Sequence, residues 1–158
     1  ISQIYEGTNG VQSQDLIGRK TIKCGGAYIG EYINEIRDFA NTLAADLNFI
    51  KDATLDAATE VEAVTQFIIE QAAENPDFPN AAAVDYLHAV GLLSFAYMFA
   101  KIAAAAKDKS GEFYQNKLSL ARYFVTRILP ELESRIRKIE AGSDLVMSFD
   151  EAYFTAQS

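Results

Sequence analysis

The chain has very few of the residues that build metal centres and covalent cross-links. Its 158 residues include one cysteine, Cys24, and one histidine, His88. A disulfide within the chain needs two cysteines, and a zinc cluster needs several cysteine or histidine ligands. A di-iron site in a helical bundle needs two Glu-x-x-His pairs. We therefore expect no metal centre, and we interpret His88 as a structural or surface histidine and Cys24 as a small buried apolar residue.

Positive charge is also scarce. Lysine and arginine number 14 against 22 aspartates and glutamates, which gives a formal net charge of -8. Such a field repels phosphate backbones and anionic lipids, so we expect no nucleic-acid partner. The most apolar stretch, residues 89–100, ends at Lys101 and is too short to cross a bilayer. A single cysteine fits a reducing compartment, and we expect a cytoplasmic protein without a membrane span.

Prolines and glycines are few, and the apolar residues follow a helical period. The sequence has three prolines and nine glycines, and 49% of its residues are hydrophobic. Apolar residues recur at steps of three and four in four stretches. These stretches are residues 29–50, 61–72, 84–102 and 118–139. We predict an all-α antiparallel bundle of four long helices, with a short N-terminal helix over residues 11–20 and a packed tail over residues 145–154.

Turn-forming residues predict where these helices end. We expect a loop at residues 52–56, with Thr54 or Asp56 as the N-cap of the next helix. Residues 75–80 contain two prolines and form a strong break. Pro130 lies inside the last long helix and should kink it, because proline cannot donate the helical hydrogen bond.

The N-terminal segment carries the only constellation that suggests a ligand site. Glu6 and Gly7 lie at a predicted turn, and Thr8, Asn9 and Gly10 follow at the start of a helix. Gly7 allows close backbone approach, and the first N–H groups of the helix can bind an anion. A glutamate shielded at such a place can act as a general base. From the residues alone, a plain N-cap at Thr8 or Asn9 is the simpler interpretation.

Residues 3–12, Gln-Ile-Tyr-Glu-Gly-Thr-Asn-Gly-Val-Gln, and residues 15–20, Asp-Leu-Ile-Gly-Arg-Lys, resemble the C-terminal signature of acyl-CoA dehydrogenases. That signature reads Ile-Tyr-Glu-Gly-Thr, a short spacer, then Gln and a Gly/Ala-Arg pair. The remaining helices are similar to the extra C-terminal domain of a larger bacterial subclass. The resemblance implies that residues 1–28 end the flavin-site and substrate-site domain and that residues 29–158 form the extra bundle domain. We expect the chain to be a piece of a longer enzyme.

The resemblance implies FAD-dependent conversion of an acyl-CoA thioester to a trans-2-enoyl-CoA. Glu6 matches the base that removes the proton α to the thioester, while the β hydrogen leaves as hydride to the flavin. Gly7 matches the glycine that lies against the thioester. The positions that match flavin-nucleotide contacts are Thr8, Asn9, Gly10 and Gln12.

The same resemblance implies acyl-CoA as substrate, an electron-transfer flavoprotein as partner, and a homodimer or larger homo-oligomer. This piece alone should be inactive, because most of the flavin site lies in other domains. Arg19 follows the glutamate one residue later than the arginine of the short-chain and medium-chain enzymes does, so we leave it outside the site. Two alternatives remain open. One is an acyl-CoA oxidase, with the same fold and base but with oxygen as acceptor; the other is a non-catalytic helical interaction module whose residues 6–10 form only a cap.

Overall fold

The computed structural model describes residues 8–150, together with Ala152 and Phe154. The helices are α1 (Asn9–Gln14), α2 (Ala27–Asn41), α3 (Asn48–Glu74), α4 (Phe78–Ala106), α5 (Glu112–Tyr123), α6 (Glu131–Glu140) and α7 (Asp144–Met147). Two π-helical segments, Asp15–Thr21 and Phe124–Ile128, extend α1 and α5, and 3-10 turns occupy Ile22–Cys24 and Ala45–Leu47. These described residues contain no strand, which confirms the all-α class.

Helices α3 and α4 pack antiparallel at the centre of the bundle. The ring of Phe67, late in α3, lies 5.6 Å from the ring of Phe78 at the start of α4, centroid to centroid. At the other end, Lys107 Nζ, just after α4, lies 3.4 Å from a carboxylate oxygen of Asp46, just before α3. The end of each helix therefore lies beside the start of the other.

The segment from α5 to α6 also packs antiparallel to α4. Arg135 of α6 pairs with Asp85 of α4 at 2.9 Å, and Phe124 stacks on Phe99 with ring centroids 4.7 Å apart. Positions later in the chain thus meet positions earlier in α4, so the segment from α5 to α6 runs antiparallel to it. On the other side, α2 packs on α3. The antiparallel bundle predicted from the apolar stripes is confirmed.

The inward face of α4 consists largely of alanine. Five alanines of α4 have no exposed surface: Ala83, Ala89, Ala96, Ala100 and Ala103. Small side chains let neighbouring helices approach closely, and isoleucines and leucines of those helices fill the space between. Larger apolar residues lie on both sides of α4: Leu92 and Leu93 are buried, whereas Val84 and Met98 are exposed and Phe95 is 59% exposed. The apolar stripe predicted over residues 84–102 is therefore not the face that this helix buries.

By length and composition α4 is the one helix in the described part of the chain that could cross a membrane, and 44% of its most apolar window is buried in the bundle. The central helix of a soluble bundle has the same character.

The break between the first two long helices lies earlier than the sequence predicted. Residues 52–56 are helical, and the chain instead leaves the helix at residues 42–47. Thr54 caps nothing, because its Oγ1 donates to the Ile50 carbonyl oxygen at 2.7 Å inside α3. Two leucines within the break remain buried, Leu43 and Leu47. They continue the apolar stripe across the break, so the period did not reveal it.

The interruption predicted at Pro130 is confirmed. The backbone N–H of Leu129 donates to the carbonyl oxygen of Phe124, five residues back, at 2.9 Å. The α-helical pattern resumes only at Glu131, directly after the proline. The missing N–H of Pro130 is accommodated by a π-helical turn before it.

The tail does not pack as predicted in the part that the structure describes. Its apolar side chains are exposed by more than half: Leu145, Val146, Met147, Phe149 and Phe154. Helix α7 has only four residues, too few to present an apolar stripe to the bundle. Ser143, just before α7, is held to the bundle, because its buried hydroxyl oxygen accepts a hydrogen bond from Asn75 Nδ2 at 2.9 Å.

Candidate functional site

Four of the six predicted site residues lie together at the start of α1: Thr8, Asn9, Gly10 and Gln12. All four are exposed on one surface of the bundle. Glu6 and Gly7 lie outside the described residues, so their roles as base and substrate contact stay predictions.

Thr8 sets the start of α1. Its backbone is extended, with φ -73° and ψ 157°, and its Oγ1 accepts a hydrogen bond from the Val11 N–H at 3.4 Å. The Gln12 N–H donates to the Thr8 carbonyl oxygen at 3.1 Å. Thr8 is therefore an N-cap, as its residue type predicted. The first N–H groups of a helix have no partner within it, so this end of α1 offers donors to an anionic or carbonyl group.

Gly10 is not required by the fold of the described residues. A Cβ placed on it would lie 3.7 Å from Thr8 Oγ1, an ordinary contact, and its backbone is helical. Glycine in a helix is less stable than alanine by up to about 1 kcal/mol. Gly10 is exposed, and Thr8 Oγ1 is the nearest described atom that an added Cβ would meet, so with respect to the described residues a planar or polar group can come close to the backbone there.

The opposite side of this N-terminal helical run attaches to the bundle. Ile17 has no exposed surface and packs in a cluster with residues of α3 and α4. Ser13 Oγ donates to the Gly10 carbonyl oxygen at 2.8 Å. The run is thus held along its buried side while the site residues face outward.

A chain of buried hydroxyl groups completes the attachment. Thr65 Oγ1 donates to the Val61 carbonyl oxygen at 2.6 Å, so the Tyr86 hydroxyl, 2.9 Å away, donates to Thr65. Thr21 Oγ1 in turn donates to the Tyr86 oxygen at 3.4 Å. Burial raises the pKa of Tyr86, and the hydrogen bonds from Thr21 and to Thr65 partly oppose this. No sequence pattern predicted these contacts, because 65 residues separate Thr21 from Tyr86.

Between these two features, Asp15–Thr21 adopts a seven-residue π-helix. Asp15 pairs with Arg19 and with Lys20, each at 3.1 Å. The Arg19 side chain is 78% exposed and its charge is balanced by Asp15. π-Helical turns are rare and often occur near functional sites, but their sequences carry no recognised signal.

A groove elsewhere in the described part of the chain does not adjoin these residues. It has a volume of about 340 Å³ and lies between α3 and α6, where Glu60, Glu133 and Glu140 border it. The pKa of Glu60 is raised by burial and then by the neighbouring carboxylates of Asp56 and Glu133. Arg137 also lines the groove, but its three glutamates leave an excess of negative charge, which disfavours anionic ligands. Among the described residues no group of three or more His, Cys, Asp or Glu side chains can hold a metal ion.

The fold is therefore an all-α bundle. The candidate site is the capped start of α1, which faces outward at the N-terminal edge of that bundle. The sequence matches the family described as "Acetyl-CoA dehydrogenase C-terminal like" over residues 32–150, more than half of the chain. The chain belongs to this family. The resemblance to the C-terminal region of acyl-CoA dehydrogenases is thereby confirmed.

Three curated proteins are similar over nearly the whole chain. The broad-specificity linear acyl-CoA dehydrogenase FadE5 of Mycobacterium tuberculosis is 26% identical over 98% of the chain and 28% of its own length. The 3-methylmercaptopropionyl-CoA dehydrogenase of Ruegeria pomeroyi is 26% identical over 94% of the chain and 26% of its own length. The butyryl-CoA dehydrogenase of Syntrophomonas wolfei is 25% identical over 98% of the chain and 27% of its own length. The chain thus spans about a quarter of the length of these relatives.

Proposed function

We propose that the chain forms the C-terminal part of an FAD-dependent acyl-CoA dehydrogenase and supplies its catalytic base, Glu6. The observation that carries this proposal is the similarity of nearly the whole chain to three proteins that are each named as acyl-CoA dehydrogenases. Their shared name favours a dehydrogenase over an oxidase and over a helical interaction module. The match of residues 3–12 to the family signature supports Glu6 as the base.

The start of α1 suits a flavin nucleotide. Thr8 offers a hydroxyl group, the first backbone N–H groups of α1 are hydrogen-bond donors, and Gly10 leaves the backbone uncovered. We assign Thr8, Asn9, Gly10 and Gln12 to FAD contacts on this basis. FAD, when bound, accepts the β hydrogen of the substrate as hydride.

The residues of this chain have two tasks in the reaction. The carboxylate of Glu6 takes the proton from the carbon α to the thioester, and Gly7, without a side chain, lets the thioester lie against the backbone. The buried side of the N-terminal run fixes the start of α1, which follows these two residues in the chain, because Ile17 and Thr21 hold it to the bundle. Most of the flavin site belongs to other domains, so the 158-residue chain alone is inactive. An electron-transfer flavoprotein reoxidises the full enzyme.

Substitution of Glu6 in the longer enzyme tests this function. Glu6→Gln keeps the size of the side chain but cannot accept the α proton, so flavin reduction by acyl-CoA should slow by about 10² to 10⁴ while FAD stays bound. The measurement is anaerobic mixing with substrate while the flavin absorbance is followed. Glu74→Gln, at an exposed position at the end of α3, is the matched control and should leave the rate unchanged. Normal bleaching by Glu6→Gln would place the base elsewhere, and loss of FAD would favour a structural cap.

A further inference from the structure

The N-terminal run is not a regular α-helix where it meets the bundle. Its π-helical segment, Asp15–Thr21, has seven residues, and the Ile22 N–H that follows donates to the carbonyl oxygens of Ile17 and Gly18. A π-helix closes its hydrogen bonds one residue further back than an α-helix, so each turn holds more residues. Such helices mostly occur as single turns. The length of this one indicates that its side chains favour the wider turn.

One ion pair in the segment is specific to π-helical geometry. Lys20 Nζ lies 3.1 Å from a carboxylate oxygen of Asp15, five residues before it. In an α-helix, residues five apart are about 140° apart around the axis and do not face each other, whereas residues three or four apart do. The other pair of Asp15, with Arg19, is compatible with either form. The contact between Asp15 and Lys20 therefore stabilises the π-helix relative to the α-helix.

Gly18, in the middle of the segment, acts in the same direction. A Cβ added there would meet no atom within 4 Å, so packing does not require glycine at this position. Glycine enters an α-helix about fivefold less readily than alanine, because its backbone has more freedom to lose. Gly18 therefore weakens the competing α-helix.

The wider turn lets two buried residues of the run face the bundle together. Ile17 and Thr21 lie four residues apart, and both have almost no exposed surface. Ile17 packs in a cluster with residues of α3 and α4, while Thr21 Oγ1 reaches the Tyr86 hydroxyl group. In an α-helix, residues four apart are about 40° out of line, so one of the two would turn away from the bundle.

We propose that the segment Asp15–Thr21 is a positioning element, which sets the rotation of α1 about its axis and so the direction in which the four flavin-contact residues assigned above face. This inference rests on the proposed function, because it concerns residues that are assigned to FAD there. With Thr21 held at Tyr86, a change of the segment to an α-helix would turn α1 by about 40° or more. Binding groups need to be held to within about 10–20° of their working geometry. Asp15, Gly18 and Lys20 are then positioning residues, which act on the site without touching the flavin.

The double substitution Gly18→Ala with Lys20→Gln, made in the longer enzyme, tests the proposal. It removes both features that favour the π-helix, so a crystal structure should show α-helical hydrogen bonds across this segment. FAD affinity, titrated with the apoenzyme, should fall at least about tenfold, because hydrogen bonds to the charged nucleotide are misdirected. Lys20→Arg alone keeps a cation five residues after Asp15, and should leave FAD affinity within about twofold of wild type.

Two controls separate positioning from loss of stability. Ile17→Val removes one buried methyl group and lowers the melting temperature without favouring either helical form, so FAD affinity should stay within about twofold. Lys23→Gln removes an exposed positive charge just after the segment, and should also have no effect on FAD affinity.

Three results would overturn the proposal. The first is a double variant that keeps its π-helix, and the second is an α-helical double variant with normal FAD affinity. The third is an equal loss of FAD affinity in Ile17→Val, which would assign the effect to stability alone. Failure of the proposed function looks different, because Glu6→Gln would then bleach normally whatever the double substitution does.

Discussion

At the scale of single residues, Tyr86 connects the N-terminal run to the rest of the molecule. It has no exposed surface, and its hydroxyl group joins Thr21, in the π-helical segment, to Thr65 of α3. A buried hydroxyl group that loses its partner costs about 1–3 kcal/mol. The phenol group of Tyr86 therefore adds a polar contact to the apolar packing of Ile17, and together they hold the N-terminal run to the bundle.

Tyr86→Phe should lower the free energy of unfolding by about 1–3 kcal/mol, because Thr21 then keeps a buried donor without an acceptor. The substitution should also change how the free energy of unfolding depends on pH in the alkaline range. The folded pKa of Tyr86 is raised, so the stability that its neutral form contributes is complete below pH of about 10 and is lost as the pH rises further. Urea unfolding at neutral pH and at high pH measures both effects. Tyr28→Phe is the exposed control, and equal pH dependence in wild type and Tyr86→Phe would contradict this.

Gly10 offers a second prediction at this scale. Gly10→Ala should stabilise the isolated chain by up to about 1 kcal/mol, since the position is helical and the new methyl group would make an ordinary contact with Thr8 Oγ1. In the longer enzyme the same change should weaken FAD binding, because the new methyl group covers the backbone where we place the flavin nucleotide. Gly30→Ala is the control for the effect on stability. Gly30 is also helical, an added Cβ there meets no atom within 4 Å, and the residue is not part of the proposed site. Thermal melts and FAD titration of the apoenzyme give the two readouts. Unchanged FAD affinity in Gly10→Ala would remove Gly10 from the site.

Residue types alone predicted part of this site. Thr8 as an N-cap follows from its hydroxyl group before a helical stretch, and the structure confirms it. The roles of Glu6 and Gly7 came only from the resemblance to the family signature and stay predictions. Tyr86 and its threonine partners could not be predicted, because contacts between distant helices leave no local pattern.

At the scale of whole elements, helical period and proline predicted most of the bundle. The period failed at residues 42–47, where buried Leu43 and Leu47 keep the stripe continuous through a 3-10 turn. The interruption predicted at Pro130 was correct, because the loss of a backbone N–H is a local effect that any fold must accommodate. The periodic pattern thus predicted the buried faces of α2 and α3, but neither the end of α2 nor the buried face of α4, where alanines face the core.

Truncation of the tail tests whether the tail contributes to the stability of the bundle. A chain that stops after Asp144 should keep the melting temperature within a few degrees, because the apolar residues it loses are exposed wherever the structure describes them. A chain that stops after Ala141 also loses Ser143 and its hydrogen bond to Asn75, and should be less stable by about 1–2 kcal/mol. Differential scanning calorimetry of the two truncated chains measures their stabilities and distinguishes these two outcomes. A large loss in the first truncation would show that the tail packs after all.

At the scale of the whole molecule, the three core clusters are continuous with one another. Val90 and Ile136 contact both the cluster around Ile33 and the cluster around Tyr86. Phe39 similarly connects the cluster around Ile33 with a third that contains Leu47. Clusters that share side chains lose their packing together, so the bundle should unfold as one cooperative unit.

The N-terminal run should belong to that cooperative unit, although the resemblance divides the chain between residues 28 and 29. Ile17 and Thr21 have almost no exposed surface, and both pack against residues of α3 and α4. We expect the backbone amides of residues 17–21 to exchange with deuterium as slowly as those in the middle of α3, within about tenfold, because both need the same global opening. Hydrogen-exchange mass spectrometry on the 158-residue chain measures this. Tyr86→Phe is the informative variant, since it should speed exchange in residues 17–21 more than in α6. Exchange of that segment many orders of magnitude faster than α3 in the wild-type chain would mean that the N-terminal run opens alone, and the bundle would then not be what holds the start of α1.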